Sequence, residues 1–280
     1  MLCRAAASLC PVVLQHHGEL PWSGPRGALQ RFGLCRADGF LFTADSLAEP
    51  WRRSGGVRRG QPVFEVMEAS SPFRSEARDE VRSRTGLTGS PVVLWAGNLD
   101  SNKDPLTVLR GFEKVLSEKP EARLYMAFRG DALLAEVKAR IDTRSALRGA
   151  VTLLGTLPYG EMEACFNSAD IFVQGSRKEG SGIAVLDALA CGVVPVVTDI
   201  AAFRAITREG SVGALWPVGD ADAFAAALRR VIGEPIQAGS EAAILLHREY
   251  WTEERIGRAA VEAYSETLDA WHSAENDRDD

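Results

Sequence analysis

Ser176-Arg177-Lys178-Glu179-Gly180-Ser181-Gly182-Ile183, followed by Ala184-Val185-Leu186-Asp187-Ala188-Leu189-Ala190-Cys191-Gly192 and then Val193-Val194-Pro195-Val196-Val197-Thr198, is the stretch whose reading decides the fold. It reads as a glycine-containing loop, a helix closed by Gly192, and a strand made of an apolar run. Another strand, Ile171 to Gln174, leads into it. Amides at the start of such a helix form an anion site, and glycines let a diphosphate approach the backbone closely. Glu179 stands before the helix and Asp187 lies two turns into it, about 12 Å apart along the axis at ~1.5 Å per residue. That is too far for a shared proton or metal. It suits two carboxylates that bind hydroxyls on opposite sides of a diphosphate.

Working outward, the alternation of strand and helix extends over most of the chain from residue 91. Pro91 to Ala96 is an apolar strand, and Asp104-Pro105 offers an N-cap with proline at the first helical position. Leu109, Phe112 and Leu116 mark the apolar stripe of the helix that follows. Strands are predicted over 123–128, 151–154, 171–174, 193–198 and 213–216, and helices over 132–141, 161–167, 183–190 and from Asp220 to about Ile232. Continuous apolar strands separated by amphipathic helices imply a parallel sheet covered on both faces. Its ligands are expected at the carboxyl ends of the strands.

The first ninety residues are thinner in core-forming elements. Strands are predicted over 11–15, 39–43 and 62–67, with helices over 25–35 and 46–53. The arginine-dense run from Arg52 to Arg84 reads as a solvated surface and linker, with an anionic lipid or phosphorylated acceptor as the alternative partner. The expected organisation is a partial N-terminal, acceptor-side domain with linker over 1–88, a donor-binding domain over 89–245, a C-terminal helix over 246–272 and a tail without regular structure over 273–280.

Composition narrows the function. In 280 residues, 46% are hydrophobic and 25% charged, as in ordinary globular proteins, and the net charge of −6 argues against nucleic acid as the main ligand. The longest apolar stretches fall short of the roughly 18–20 residues of a membrane span. Arg4 and the apolar run to Leu14 superficially resemble a signal peptide; Pro11 and the lack of a small-x-small cleavage site oppose that reading. Five scattered cysteines (Cys3, Cys10, Cys35, Cys165, Cys191) without a CxxC pair give neither a disulfide framework nor a zinc site, and fit a reducing cytoplasm.

The segment from Glu179 to Val197 resembles the family 4 (group 1) glycosyltransferases of GT-B fold. These carry two acidic residues separated by seven positions, in a setting like E-G-F-G-L-x-x-x-E-A-M-A-C-G-x-P-V-V. The resemblance implies that Glu179 binds donor-sugar hydroxyls and Asp187 the ribose, with Gly180, Ser181, Gly182 and Ile183 forming the diphosphate cradle. The family more often has Glu at the second position, so Asp187 reaches one methylene less. Gly97-Asn98-Leu99-Asp100-Ser101-Asn102-Lys103-Asp104-Pro105 resembles the family loop G-R-x-x-x-x-K-G or K-D-P, whose Arg and Lys grip the diphosphate. Lys103 fits that role; Asn98 stands at the arginine position and donates hydrogen bonds without charge. Gly155 and Thr156 match the loop beside the nucleotide base, and His17 matches a strand-end His-Gly that faces the reacting centre, with His16 and Glu19 as weaker candidates.

By resemblance, then, the fold is α/β of GT-B type: a C-terminal Rossmann-like parallel sheet and a partial N-terminal Rossmann-like domain whose beginning is absent. The implied activity is retaining transfer of a sugar from a nucleotide diphosphate donor to an acceptor hydroxyl of a glycan, lipid or small molecule. His17, Lys103 and Glu179 are the catalytic candidates, and no metal or other cofactor is needed. A cytoplasmic setting is expected, with or without peripheral contact on the inner membrane face. The alternative is a non-catalytic nucleotide-sugar-binding fragment. A sugar-nucleotide epimerase or a phosphorylase matches the acidic spacing less well, and a nicotinamide dehydrogenase lacks its GxGxxG.

Overall fold

The computed structural model describes residues 10–279, so Cys3 and most of the Arg4-led run lie outside the described residues. These fall into two compact units, residues 10–70 with 251–279, and residues 71–250.

The first unit opens with β1 (Val13–Gln15), α1 (Gly24–Leu34), β2 (Gly39–Phe42), a 3-10 turn (Asp45–Ala48), α2 (Glu49–Ser54) and β3 (Val63–Glu65). Pro25 and Pro50 occupy the first helical turns, where no amide hydrogen is needed. The strands form a parallel sheet in the order β1-β2-β3. Phe40, Phe42, Ala48, Trp51 and Val57 pack on one side of it.

The second unit continues with α3 (Arg78–Thr85), β4 (Val92–Asn98), α4 (Pro105–Leu116), β5 (Arg123–Arg129), α5 (Leu134–Thr143), α6 (Ser145–Arg148) and β6 (Val151–Gly155). After these come α7 (Tyr159–Ser168), β7 (Ile171–Gln174), α8 (Ile183–Ala190), β8 (Val194–Thr198), α9 (Ala201–Ile206), β9 (Ala214–Trp216), α10 (Ala221–Gly233) and α11 (Ile236–Tyr250). The last helix, α12 (Glu253–Asp279), returns to the first unit, where Ala263 packs with Leu41 and Val66.

Six parallel strands of the second unit run in the order β6-β5-β4-β7-β8-β9. From β4 the chain winds outward through β5 and β6, then restarts at β7 and winds the other way. The carboxyl ends of β4 and β7 thus flank the point where the winding reverses, and there the crossover helices diverge and leave a crevice. Val93, Trp95, Leu124, Met126, Ile171, Val173 and Val196 fill the sheet's core, with Leu109, Phe112, Phe224 and Leu228 from α4 and α10 packed over them.

Three local readings change. The arginine run contains a helix, α3, grouped with the second unit. Arg82 donates through Nε to Ser168 O at 2.8 Å and pairs with Asp170 at 2.7 Å, while Arg78 Nε donates to Ala169 O at 3.0 Å. These two arginines satisfy the carboxyl end of α7 and the start of β7, so they hold structure together instead of facing solvent. Helix α11 fills residues 236–245, where no element was expected, and its last turn takes up the start of the helix expected over 246–272, which is interrupted at Trp251 and Thr252 before α12 begins. A Cβ on Gly239 would meet Val194 Cγ2 at 2.7 Å, and one on Gly192 would meet Ser240 Oγ at 2.7 Å. Gly239 is there for close approach, while Gly192, at φ 70°, both turns the chain at the end of α8 and leaves room for Ser240. Finally, α12 carries its helical backbone through the segment 273–279, which was expected without regular structure.

Candidate functional site

The rim of the crevice is made by two loops. After β4 the chain runs through Asn98 to Asp104, and after β7 through Gly175 to Gly182. Asp104 takes a left-handed conformation, φ 42°, and caps α4 by accepting from the Thr107 amide and hydroxyl. Its other oxygen accepts from Arg177 Nη2 at 2.8 Å. Arg177 N donates to Asn102 O at 2.8 Å, and Asn102 Nδ2 donates to Lys178 O at 3.1 Å. The two loops are therefore fastened side by side, and the charge on Arg177 is occupied with this.

Lys103 bridges the same two loops higher up. Its Nζ donates to Glu179 Oε1 at 2.5 Å, with both side chains largely buried. Lys103 N is held by Asp100 Oδ1 at 2.9 Å, which fixes where the side chain starts. A cation and a carboxylate that the sequence assigns to different parts of one ligand are thus each other's partner. Such a pair compensates two desolvated charges, and each member is freed only when something else replaces the other.

Below this pair lies a pocket of about 340 Å³ lined by Gly97, Asn98, Lys103, Arg129, Thr156, Gln174 and Asp187, with Phe128, Leu157, Met162 and Phe166 as its apolar wall. Asp187 reaches it from the middle of α8. Ser71 Oγ donates to Asp187 Oδ1 at 2.6 Å. Burial, the larger effect, pushes the Asp187 carboxyl up to about 6, and the Ser71 hydrogen bond offsets part of it. Gly182 begins α8 at φ 60°, and a Cβ there would meet Ile206 Cδ1 at 2.8 Å and Phe203 Cε1 at 2.9 Å. Glycine is required on both counts. It lets the first-turn amides of Ile183 and Ala184, donors without an intrahelical acceptor, stand at the crevice.

Of the residues singled out from the sequence, Gly97, Asn98, Lys103, Thr156 and Asp187 line one pocket. Glu179 joins them through Lys103, and Gly180, Ser181, Gly182 and Ile183 form the loop and helix start beside it. Gly155 ends β6 at φ 72°, and the Thr156 hydroxyl donates to Phe128 O at 3.0 Å, which ties the ends of β5 and β6 together. His17 belongs to the first unit. It is exposed, and its Nδ1 contacts the Glu68 carboxylate. His16, in contrast, is buried, stacked on Phe42 at 4.7 Å, with Nε2 in contact with Glu19 O at 2.9 Å.

Sequence reasoning missed Ser71, Glu68, Gln174 and Arg129. Gln174 ends β7, is buried, and donates to Ala96 O at 2.9 Å; its Oε1 has no hydrogen-bond partner among the described residues. A buried amide at a strand's carboxyl end was a signal open to reading. Ser71 was not, since only the folded chain brings it 116 positions along to Asp187. Among the described residues no group of three or more His, Cys, Asp or Glu is placed to hold a metal, and no helix is long and apolar enough to cross a membrane. Burial pushes the thiols of Cys165 and Cys191 up, the former to about 11, which leaves neither a reactive nucleophile at neutral pH.

With this geometry in view, the likeness to known proteins has a physical basis. Residues 90–234 match the model of the family described as Glycosyl transferases group 1, and the chain belongs to that family. The phosphatidyl-myo-inositol mannosyltransferase of Mycolicibacterium smegmatis is 30% identical over 165 residues, 57% of this chain and 42% of that one. The chain spans less than half the length of three such curated relatives. Anabaena HepE, crystallised in complex with UDP, superposes with a TM-score of 0.76 over 95% of this chain and 81% of its own, at 16% identity. The C-terminal domain of a Francisella tularensis group 1 glycosyl transferase superposes with a TM-score of 0.59 over 65% of this chain and 96% of its own, at 17% identity. The fold class is GT-B.

Proposed function

We propose that the second unit binds a nucleoside-diphosphate sugar in the crevice at the ends of β4 and β7, and that the chain transfers the sugar to an acceptor hydroxyl with retention, as a family 4 glycosyltransferase. The observation that supports this best is the Lys103–Glu179 pair at the rim of a pocket that also holds Asp187. In the proposed cycle the diphosphate takes over Lys103, and Glu179, released, accepts from the sugar hydroxyls. Asp187 accepts from the ribose, and the Ile183 and Ala184 amides face the phosphates. The bond from the anomeric carbon to the phosphate oxygen breaks while a bond to the acceptor oxygen forms on the same face. The acceptor's proton passes to the departing phosphate oxygen, so no protein nucleophile and no metal enters. The acceptor is a hydroxyl of a glycan, lipid or small molecule, and His17, positioned by Glu68, is assigned to its side of the reaction. Contact with a membrane surface is proposed only as the way a lipid acceptor would be reached.

Asn98 favours a second reading. A neutral amide at a position where the family places a guanidinium weakens stabilisation of the leaving diphosphate, which suits binding without turnover.

Isothermal titration with UDP, GDP and ADP, free and as their sugars, tests the donor site. Saturable binding of one series is expected, weakened at least tenfold in Lys103→Ala, since a charge-assisted contact to phosphate is lost. No binding of any of them at millimolar concentration would overturn the assignment. Binding without release of nucleoside diphosphate in the presence of candidate acceptors, phosphatidylinositol vesicles included, would select the second reading.

A further inference from the structure

We infer that Arg129 supplies, from the neighbouring strand, the diphosphate-binding guanidinium that Asn98 does not. The inference rests on the donor-site reading above and deepens it. β4 and β5 are parallel neighbours, and the last residue pair in their register is Asn98 with Arg129. Register partners in adjacent strands lie roughly 4.8 Å apart and project to the same face of the sheet. Both residues line the same pocket. A guanidinium moved from position 98 to position 129 therefore shifts sideways by one strand, a step that a long flexible side chain spans.

The charges around the pocket give the step its weight. Lys103 is engaged by Glu179 and Arg177 by Asp104. Arg129 is exposed, and among the described residues its side chain makes no ion pair or hydrogen bond. It is the lining cation that needs no exchange of partner before it meets an anion. Its backbone is held firmly: Arg129 O accepts from Leu99 N at 3.3 Å, and β5 lies between β4 and β6. Gly130, at φ 68°, turns the chain away immediately afterwards and leaves the side chain at the strand's tip. Pre-placed donors on a rigid strand end are what anion binding rewards, and guanidinium offers phosphate a paired geometry that an amide lacks.

The test is titration of nucleoside diphosphates into wild type, Arg129→Ala, and Arg129→Ala combined with Asn98→Arg. Arg129 is exposed and bonded to nothing else, so the single variant keeps its fold, which thermal unfolding verifies. The expected result is a loss of about tenfold or more for Arg129→Ala, similar for UDP, GDP and ADP, and recovered when Asn98→Arg is added. Unchanged affinity in Arg129→Ala would overturn the inference and leave the donor site standing. So would a loss confined to one base, which would make Arg129 a reader of the base, or a loss that Asn98→Arg fails to recover. If wild type binds none of the three nucleotides, it is the donor-site reading that falls, and this inference with it.

Discussion

Asp187 carries a cost that its position makes useful. Its carboxyl is pushed up to about 6 by burial, above the ordinary carboxylate range, so the folded protein holds a proton there that the unfolded chain releases near pH 4. The sign follows: between these values folding takes up a proton, and the stabilisation this brings is lost as pH rises through about 6. At neutral pH an ionised, half-buried Asp187 then costs roughly 3 kcal/mol. Asp187→Asn is expected to raise the melting temperature more at pH 7.5 than at pH 5, and equal shifts at both would refute it. Binding should run the opposite way. An ionised carboxylate is the better acceptor for ribose hydroxyls, so nucleotide affinity should climb from pH 5 to pH 7 and lose that part of its climb in Asp187→Asn. The position was legible in the sequence from its spacing to Glu179. Its altered acidity was not, because burial and the Ser71 hydrogen bond come from distant parts of the chain.

The elements around the site were legible in proportion to how strongly their residues alternate. The strands β4, β5, β7 and β8 are apolar runs bounded by polar turns, and α4 shows its stripe and its Asp104-Pro105 start. Helices α3 and α11 escaped although each buries apolar residues, Val81 in α3 and Ala243 and Leu246 in α11, because polar and close-packing contacts share the anchoring: Arg78 and Arg82 hold α3, and α11 approaches its neighbours at Gly239 and Ser240. A similar close contact joins α4 to α10. A Cβ on Gly111 would meet Phe224 Cδ1 at 2.4 Å and Ala221 O at 2.6 Å. In an isolated helix Gly→Ala is stabilising; here overpacking against a backbone oxygen should dominate. Gly111→Ala is expected to lower stability by about 1–3 kcal/mol in urea unfolding. A neutral or stabilising result would show that α10 shifts freely, contrary to the packing.

At the scale of the molecule, the boundary between units falls after residue 70, ahead of the segment 71–88 that the sequence assigns to the N-terminal side. Residues 71–77 have no regular structure, yet their polar groups are bound within the second unit. Arg74 N donates to Glu163 at 2.9 Å and Glu76 N to Asn167 Oδ1 at 2.8 Å. The second unit has its own core and holds every residue that lines the pocket. Residues 71–250 are expected to unfold cooperatively on their own by circular dichroism. A fragment begun at residue 89, lacking Ser71, Arg78 and Arg82, should unfold at lower temperature, and equal stability would deny the segment its structural part.

By itself the sequence determined the class of fold, the strand ends that carry the pocket, and Asn98, Lys103, Glu179 and Asp187 as the candidates that gather at it. Periodicity sets the elements, and strand-end loops follow from it; the four residues come from the resemblance of their segments to the family 4 motifs. Only the tertiary structure decided that Lys103 and Glu179 neutralise each other, that Ser71 meets Asp187, and that Arg129 stands beside Asn98. Those pairings join residues 31 to 116 positions apart, and the order of strands in the sheet and the packing of its crossovers, not the spacing along the chain, sets which of them meet.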